Sequence, residues 1–229
     1  MKYPDPYPIQ NKLFNDGSIP SKKEVKEWQK REDQRRKLFN AWTDKGYDCL
    51  ADDDEENALI NLQKAYDILI GGSGPFFIDD YDVLERLGKL HRRMGNYAAA
   101  ITVLEIVDKG TNMYPTYLGD IYYEDLKDYE KALGVYSRCW GEPGAEFRLG
   151  VMSRNGYGIK KDLVNALKWF NIATEHTQSE SHFRFMLENR KKLKLAMSAR
   201  QIKKADELSN QELNKRKKAR DDVWANVSL

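Results

Sequence analysis

The order of small and large apolar residues repeats along the chain, and this repetition constrains the fold more than any other feature. Between residues 82 and 110, two helical segments alternate small residues with large ones in a fixed order. The defining positions are Leu84, Leu87, Gly88, His91, Gly95, Tyr97, Ala100, Leu104 and Val107. Because small residues let two helices approach closely while large ones fill the gaps between neighbouring pairs, this order predicts stacked helical hairpins.

Two related units follow the first one along the chain. The unit at 113–140 is defined by Leu118, Gly119, Tyr122, Tyr129, Ala132, Tyr136 and Cys139. The unit at 143–174 is defined by Ala145, Leu149, Gly150, Gly156, Gly158, Ile159, Asp162, Ala166, Trp169, Phe170 and Ala173. The first unit resembles a tetratricopeptide repeat, and the third resembles the Sel-one-like repeat, a relative with longer loops.

This resemblance implies an all-α fold, a right-handed superhelical α-solenoid of antiparallel helix hairpins. Weaker repeats at 38–70 and 180–217 bring the expected number to about five hairpins, above the roughly three needed for a stable stack. Capping boxes at Ser21 with Glu24 and at Ser198 with Gln201 mark the first helix and a C-terminal capping helix. The expected organisation is an extended N-terminal tail at 1–20, one repeat domain at 21–220 with its closing helix at 198–217, and a C-terminal tail at 221–229.

The stretch "LGVMSRNGYGIKKDLVNALKWF", residues 149–170, resembles a phosphate-binding loop in its glycine content. No lysine and hydroxyl follow its last glycine directly, so the phosphate-loop pattern fails. We therefore expect Gly156 and Gly158 to reverse the chain with positive backbone angles, and Ile159 to return to the core. Asp162 is expected to cap the next helix, and Trp169 is expected to be a core aromatic.

Candidates for catalysis or metal binding are few. His91 occupies a repeat position usually filled by a large aromatic residue, which indicates packing. His176 and His182 are six residues apart and do not have the i, i+4 spacing of helical zinc ligands. The acidic run 52–56 lacks the central glycine of a calcium loop. We predict no catalytic residue, metal or cofactor, and therefore no enzyme.

Composition points to a cytoplasmic protein. Thirty-eight basic and 36 acidic residues leave a formal charge of +2, so net charge does not indicate nucleic acid or acidic lipid as a partner. Two cysteines, Cys49 and Cys139, are too few for a disulfide framework and are typical of a reducing compartment. No apolar run approaches the roughly 20 residues that span a bilayer, so we expect no membrane association.

The resemblance also implies where a partner would bind, because in such arrays the first helix of each hairpin lines a concave groove. Carried onto this chain, the groove positions are Glu85, Lys89, Arg92, Arg93, Thr116, Asp120, Tyr123, Glu124, Phe147, Val151, Arg154 and Asn155. Core packing does not require these residues. The groove is thus the predicted site for a protein or peptide.

Within the groove, apolar and basic positions have different expected roles. Tyr123, Phe147 and Val151 resemble the apolar anchors of a binding site. The arginines Arg92, Arg93 and Arg154 are suited to hold acidic side chains through forked hydrogen bonds.

The family includes scaffolds, regulatory adaptors and, in bacteria, immunity proteins that neutralise a toxin, so a toxin or effector is one expected partner class. The alternative is RNA or DNA binding by basic helices at 22–37 and 190–220, where "NKRKKAR" at 214–220 lacks interleaved aromatic residues for base stacking.

Overall fold

The computed structural model describes residues 21–72, 77–110 and 116–227. The predicted N-terminal tail, most of the glycine-rich stretch at 71–75 and the last two residues lie outside the described residues. The described ranges contain helices and turns but no β-strand, which confirms the all-α prediction. The chain divides into two compact units, Met1–Asn112 and Met113–Leu229.

The first unit consists of two antiparallel helix pairs. Its helices are α1 (Lys22–Ala51), α2 (Glu55–Ile70), α3 (Ile78–Arg93) and α4 (Tyr97–Gly110). The helix α1 packs against α2, and α3 packs against α4, while α2 and α3 join the two pairs. The Ser21 hydroxyl and the Glu24 carboxylate form the predicted capping box at the start of α1. The core contains Phe39, Ala58, Leu62, Ala65, Leu69, Val83, Leu84, Leu87, Leu90, Val103 and Val107.

The second unit has a similar hairpin order and a longer final helix. Its helices are α5 (Thr116–Asp120, continued by a π-helical turn, Ile121–Asp125), α6 (Tyr129–Tyr136), α7 (Pro143–Asn155), α8 (Leu163–His176), α9 (Glu180–Leu195) and α10 (Ala199–Val227). Both α9 and α10 pack against α8. The predicted Ser198 capping box precedes α10, which continues past residue 217 to Val227. The helix α10 therefore covers a face of α8.

One contact recurs in four hairpins, where a glycine of the first helix meets a large side chain of the second. A Cβ placed on any of these glycines would lie only 2.4 to 2.6 Å from that side chain. The pairs are Gly46 with Leu62, Gly88 with Leu104, Gly119 with Tyr136, and Gly150 with Phe170. The pair α1/α2, where the sequence repeat is weak, thus packs like the clear repeats.

The turn between α7 and α8 has the predicted backbone but not the predicted side-chain placement. Gly156 and Gly158 have positive φ angles of 81° and 66°, as expected. The carboxylate of Asp162 accepts hydrogen bonds from the first turn of α8, which confirms the cap. Ile159, however, is 38% exposed, so its predicted return to the core is wrong. The amide of Asp162 donates to the carbonyl of Ser153, which closes the loop and leaves Ile159 outside.

Trp169 is another correction, because it is only partly buried rather than a core residue. Its neighbour Phe170 is fully buried and fills the space beside Gly150. The indole of Trp169 is instead flanked by two cations, with the Lys168 ammonium 4.1 Å and the Arg216 guanidinium 5.8 Å from its ring. The adjacent residue took the core position because the close helix approach occurs at Gly150.

Candidate functional site

In the first unit, the predicted groove residues lie along α3. The Lys89 ammonium lies 2.6 Å from the Glu85 carboxylate, and Arg93 forms a 2.8 Å salt bridge with Glu55 at the start of α2. Lys89 and Arg93 also line a surface pocket of about 300 Å³ between the end of α1 and α3. The guanidinium of Arg93 is therefore already paired with a carboxylate of the same protein, that of Glu55.

In the second unit, three predicted residues of the α5 segment converge on Arg148 of α7. The Arg148 guanidinium forms a salt bridge with Glu124, lies 3.8 Å from the Asp120 carboxylate, and stacks 4.9 Å from the centre of the Tyr123 ring. Asp120 also accepts a 2.6 Å hydrogen bond from the Tyr136 hydroxyl. Arg148 is not among the predicted positions, because the family groove positions fall on its neighbours. The sequence feature that could have indicated Arg148 is its position between two apolar residues, Phe147 and Leu149.

Tyr123 belongs to a cluster of four tyrosines. Its ring centre lies 5.5 Å from that of Tyr129 and 6.3 Å from those of Tyr136 and Tyr157. Burial, followed by the adjacent Asp120 carboxylate, raises the pKa of Tyr136 far above its usual range, so its hydroxyl remains a donor. Burial also raises the pKa of Tyr123. Part of the Tyr123 surface is therefore occupied by its own chain.

Phe147, Val151 and Arg154 lie on one face of α7, since residues four and seven apart recur on the same side of a helix. The Phe147 ring stacks 5.0 Å from Phe170 and lies 5.2 Å from Phe185 of α9. Val151 is half-buried against the core formed by α8, α9 and α10. Phe185 itself is 56% exposed. We call Phe147, Val151, Arg154 and Phe185 the α7–α9 strip.

Arg154 supplies the charge of this strip. Its Nε donates a 3.2 Å hydrogen bond to the side chain of the exposed Asn155, and its guanidinium lies 5.9 Å from the Phe170 ring. Among the residues that the structure describes, no carboxylate forms a salt bridge with Arg154. Thr116, the remaining predicted position, is half-buried at the start of α5. The strip therefore ends in a cation that retains its charge for a partner.

Two of the three histidines, His176 and His91, have side-chain partners, whereas His182 is exposed. Nδ1 of His176 lies 2.7 and 2.9 Å from the carboxylate oxygens of Glu146, which is only 1% exposed and also accepts from the Gly141 amide. His91 is buried as predicted, with its Nε2 atom 3.1 Å from the Gln63 side-chain oxygen. In the described part of the chain, no group of three or more His, Cys, Asp and Glu side chains is arranged to bind a metal ion.

Comparison with known proteins identifies the fold. No family model matches the sequence, and no curated protein matches it. The structure resembles c5321, a protective antigen of uropathogenic Escherichia coli that displays an SLR (Sel-one-like repeat) fold, with a TM-score of 0.55 and 23% identity over 69% of this chain. That match spans 33% of c5321, so this chain corresponds to about one third of its length.

MamA (residues 41 to the end) from Desulfovibrio magneticus RS-1 aligns with a TM-score of 0.49 and 21% identity over 76% of this chain and 96% of MamA. A MamA RS-1 double mutant gives the same values. The likeness to c5321, together with the recurring glycine contacts, confirms the predicted Sel-one-like helical repeat fold. Among the described residues, no helix is long and apolar enough to cross a membrane.

Proposed function

We propose that this chain is a non-catalytic protein-interaction module, and that the α7–α9 strip of its second unit binds a protein or peptide segment. The observation that carries the proposal is the exposed ring of Phe185 against Phe147, at one end of a helix face. The other end of this face carries Arg154, which forms no salt bridge with any described residue. Exposed aromatic residues and arginines are the residue types that dominate binding energy at protein interfaces.

The geometry of the strip defines the kind of segment that fits it. Phe147 and Arg154 are seven residues apart on α7, which corresponds to about 10 Å along the helix axis. A fitting segment therefore presents an apolar side chain to Phe147 and Phe185, and a carboxylate about 10 Å away to Arg154. The remaining predicted groove positions of the second unit, including Tyr123 and Asn155, belong to the same proposal.

A peptide-display experiment tests this function without a known partner. Random peptides displayed on phage are selected on the full chain, and the enriched peptides are expected to combine an apolar residue with an acidic one. Phe185→Ala is expected to weaken binding of these peptides by about tenfold or more, because it removes an exposed anchor rather than a core residue. Binding constants are measured by isothermal titration calorimetry.

Phe183→Ala is the matched control, since Phe183 is a 39% exposed phenylalanine on the same helix. It lies two residues from Phe185, about 200° around the helix axis, and so faces away from the strip. We expect this control to keep the affinity within about twofold. If both variants lose binding equally, or if no peptide is enriched, the α7–α9 strip is not the binding site.

The biological setting proposed here is a cytoplasmic adaptor or a bacterial immunity protein that neutralises a toxin. Both described cysteines are free thiols, which supports a reducing compartment. The neighbouring gene separates the two roles, because an adjacent toxin-like reading frame favours immunity, and protection of cells that express that toxin tests it directly.

Nucleic-acid binding is the second candidate function, and the exposed lysines of the first half of α1 favour it. Lys22, Lys23, Lys26 and Lys30 are all exposed there. Phosphate contacts release counterions, so RNA or DNA affinity through these lysines would fall steeply with salt. A shallow salt dependence of partner affinity supports the protein-binding function instead.

A further inference from the structure

The side of the α1/α2 pair that is turned away from α3 carries a tryptophan, Trp42. On α1, Arg36 forms a salt bridge with Asp80 of α3. Tyr47 donates a hydrogen bond to Asp82 of the same helix. Trp42 lies six residues from Arg36 and five from Tyr47, and is therefore at least about 120° around the helix axis from both. We call Leu38, Trp42 and Lys45 of α1, together with Lys64 of α2, the α1–α2 outer face.

Two ammonium groups from different helices share the indole of Trp42. The Nζ atom of Lys45 lies 4.4 Å and that of Lys64 lies 4.1 Å from the ring centre. The sum of these distances sets an upper limit of about 8.5 Å on the separation of the two nitrogen atoms, and like charges this close repel each other. No carboxylate of the described residues forms a salt bridge with either lysine, whereas Lys89 and Lys131 have such partners. Both charges therefore remain available to a carboxylate of another molecule.

The α1–α2 outer face is accessible and partly apolar. Lys45 and Lys64 are exposed, and Trp42 is half-buried. Leu38 lies one helical turn before Trp42 on the same side of α1, and it is 56% exposed. Apolar surface bordered by polar residues is typical of protein interaction sites. The face therefore offers an apolar contact at Leu38 and a position for a negative charge about 6 Å further along the helix.

Trp169 of the second unit shows how this protein completes a similar arrangement. The ammonium of Lys168 and the guanidinium of Arg216, which belongs to α10, lie 4.1 and 5.8 Å from the Trp169 ring. There α10 also adds a carboxylate, because Glu212 forms a salt bridge with Arg216. Burial works to raise the pKa of Glu212, but the hydrogen bond from Arg216 and the charges of Arg216 and Lys168 outweigh it and lower that pKa. A helix that carries a glutamate thus completes the cation pair beside this tryptophan.

We infer that the α1–α2 outer face binds an acidic helical segment of a protein partner, whose carboxylate lies between Lys45 and Lys64 and whose apolar side chain contacts Leu38. Complementary charge selects such a segment, since the described residues supply no acid to either lysine. An apolar residue and an acid four positions apart on a helix match the spacing of the two contacts. The inference rests on the proposed function, because it names the partner chemistry that a protein-interaction module uses in its first unit.

A designed peptide tests this face directly. The probe is an alanine- and glutamine-based peptide of about 20 residues, long enough to form a helix, with one leucine and one glutamate four positions apart. The full chain is labelled with ¹⁵N, and its tryptophan indole N–H signals are followed by NMR, with the Trp42 signal assigned by its absence in Trp42→Phe. We expect a saturable shift of the Trp42 signal with a dissociation constant on the order of 1 mM. A peptide with glutamine in place of the glutamate should bind about tenfold more weakly, because it loses the charge-assisted hydrogen bonds.

Matched variants separate this contact from general attraction between opposite charges. Lys45→Gln and Lys64→Gln are each expected to weaken binding of the glutamate peptide by about three- to tenfold, because each removes one cation from the carboxylate. Leu38→Ala should weaken binding of both peptides by about threefold, since both carry the leucine. Lys37→Gln is the control, because Lys37 is an exposed lysine of the same helix about 140° around the axis from Trp42. We expect this control to keep the affinity within about twofold.

The inference is overturned if the glutamine peptide binds as tightly as the glutamate peptide, or if Lys37→Gln and Lys64→Gln weaken binding equally. A Trp42 signal that shifts with protein concentration alone would assign the face to a second copy of the chain. Tighter binding of an oligothymidylate than of the peptide would assign the face to nucleic acid, and either result also overturns the inference. Phe185→Ala should leave this titration unchanged, because Phe185 belongs to the second unit. A failure at the α1–α2 outer face is therefore distinguishable from a failure of the proposed function at the α7–α9 strip.

Discussion

Individual buried polar residues in this protein serve the packing of hairpins. Glu146 is almost completely buried, yet its carboxylate is satisfied by His176 and by the Gly141 amide. His91 is different, because Nε2 has Gln63 as partner while the buried Nδ1 atom has none among the described residues. A protonated imidazole needs two acceptors, so the site favours the neutral form, and burial lowers the pKa of His91.

This lowered pKa predicts a pH dependence of stability. The unfolded chain binds a proton at His91 below its ordinary pKa of about 6.5, while the folded chain stays neutral there until a lower pH. The free energy of unfolding should therefore fall as pH drops from about 6.5 through the folded pKa. The His91→Phe variant lacks this contribution. The free energies of unfolding of the two proteins, measured by urea denaturation, should therefore differ by a constant amount above pH 7 and diverge below pH 6. A difference in the free energy of unfolding that stays constant down to pH 5 would contradict the prediction.

Among the helices, the closest contacts are those between the two members of a hairpin. In each of four hairpins a glycine allows the first helix to approach a large side chain of the second, and that side chain is Leu62, Leu104, Tyr136 or Phe170. The repeat pattern predicts these contacts because it shows at which positions a small residue is required. It does not predict which of two adjacent aromatics is buried, as Trp169 and Phe170 show, since that depends on the rotation of α8 against α7.

Gly150 provides the test of this contact. A methyl group there would meet the Phe170 ring at 2.4 Å and the Ala166 carbonyl at 3.2 Å. Gly150→Ala should therefore destabilise the protein by about 1–3 kcal/mol through overpacking. Gly134→Ala in α6 is the control, because nothing lies within 4 Å of the added methyl. It should stabilise by about 0.5–1 kcal/mol through reduced chain entropy. Equal effects in chemical denaturation would rule out the close-approach explanation.

At the scale of the whole molecule, each of the two units has a core made from its own residues. In the first unit all four helices contribute to one apolar cluster. In the second unit a cluster around Ala166, Leu167 and Phe170 joins α8 to α9 and α10 through Leu193 and Ala205. In repeat proteins, stability is approximately a sum of repeats and nearest-neighbour contacts, so a segment with several packed helices is stable by itself.

This division predicts that residues 113–229 fold without the rest of the chain. Expressed alone, this segment should show α-helical circular dichroism and a cooperative thermal transition, because the contacts around Phe170 are internal to it. Leu167→Ala in the same fragment should lower the midpoint of that transition, since Leu167 is fully buried. A fragment without helical signal at low temperature would show that the second unit depends on the first.

The sequence alone determined the helical class, the hairpin repeat and the glycine positions, because these follow from local periodicity and from size constraints between residues close along the chain. It also placed Phe147, Val151 and Arg154 on one helix face. Only the tertiary structure decided which charges remain available: Arg93 forms a salt bridge with Glu55, whereas Arg154 has no acidic partner within the described ranges. The pairing of Arg93 with Glu55 depends on side-chain packing between two helices distant in sequence, and local periodicity carries no information about such packing.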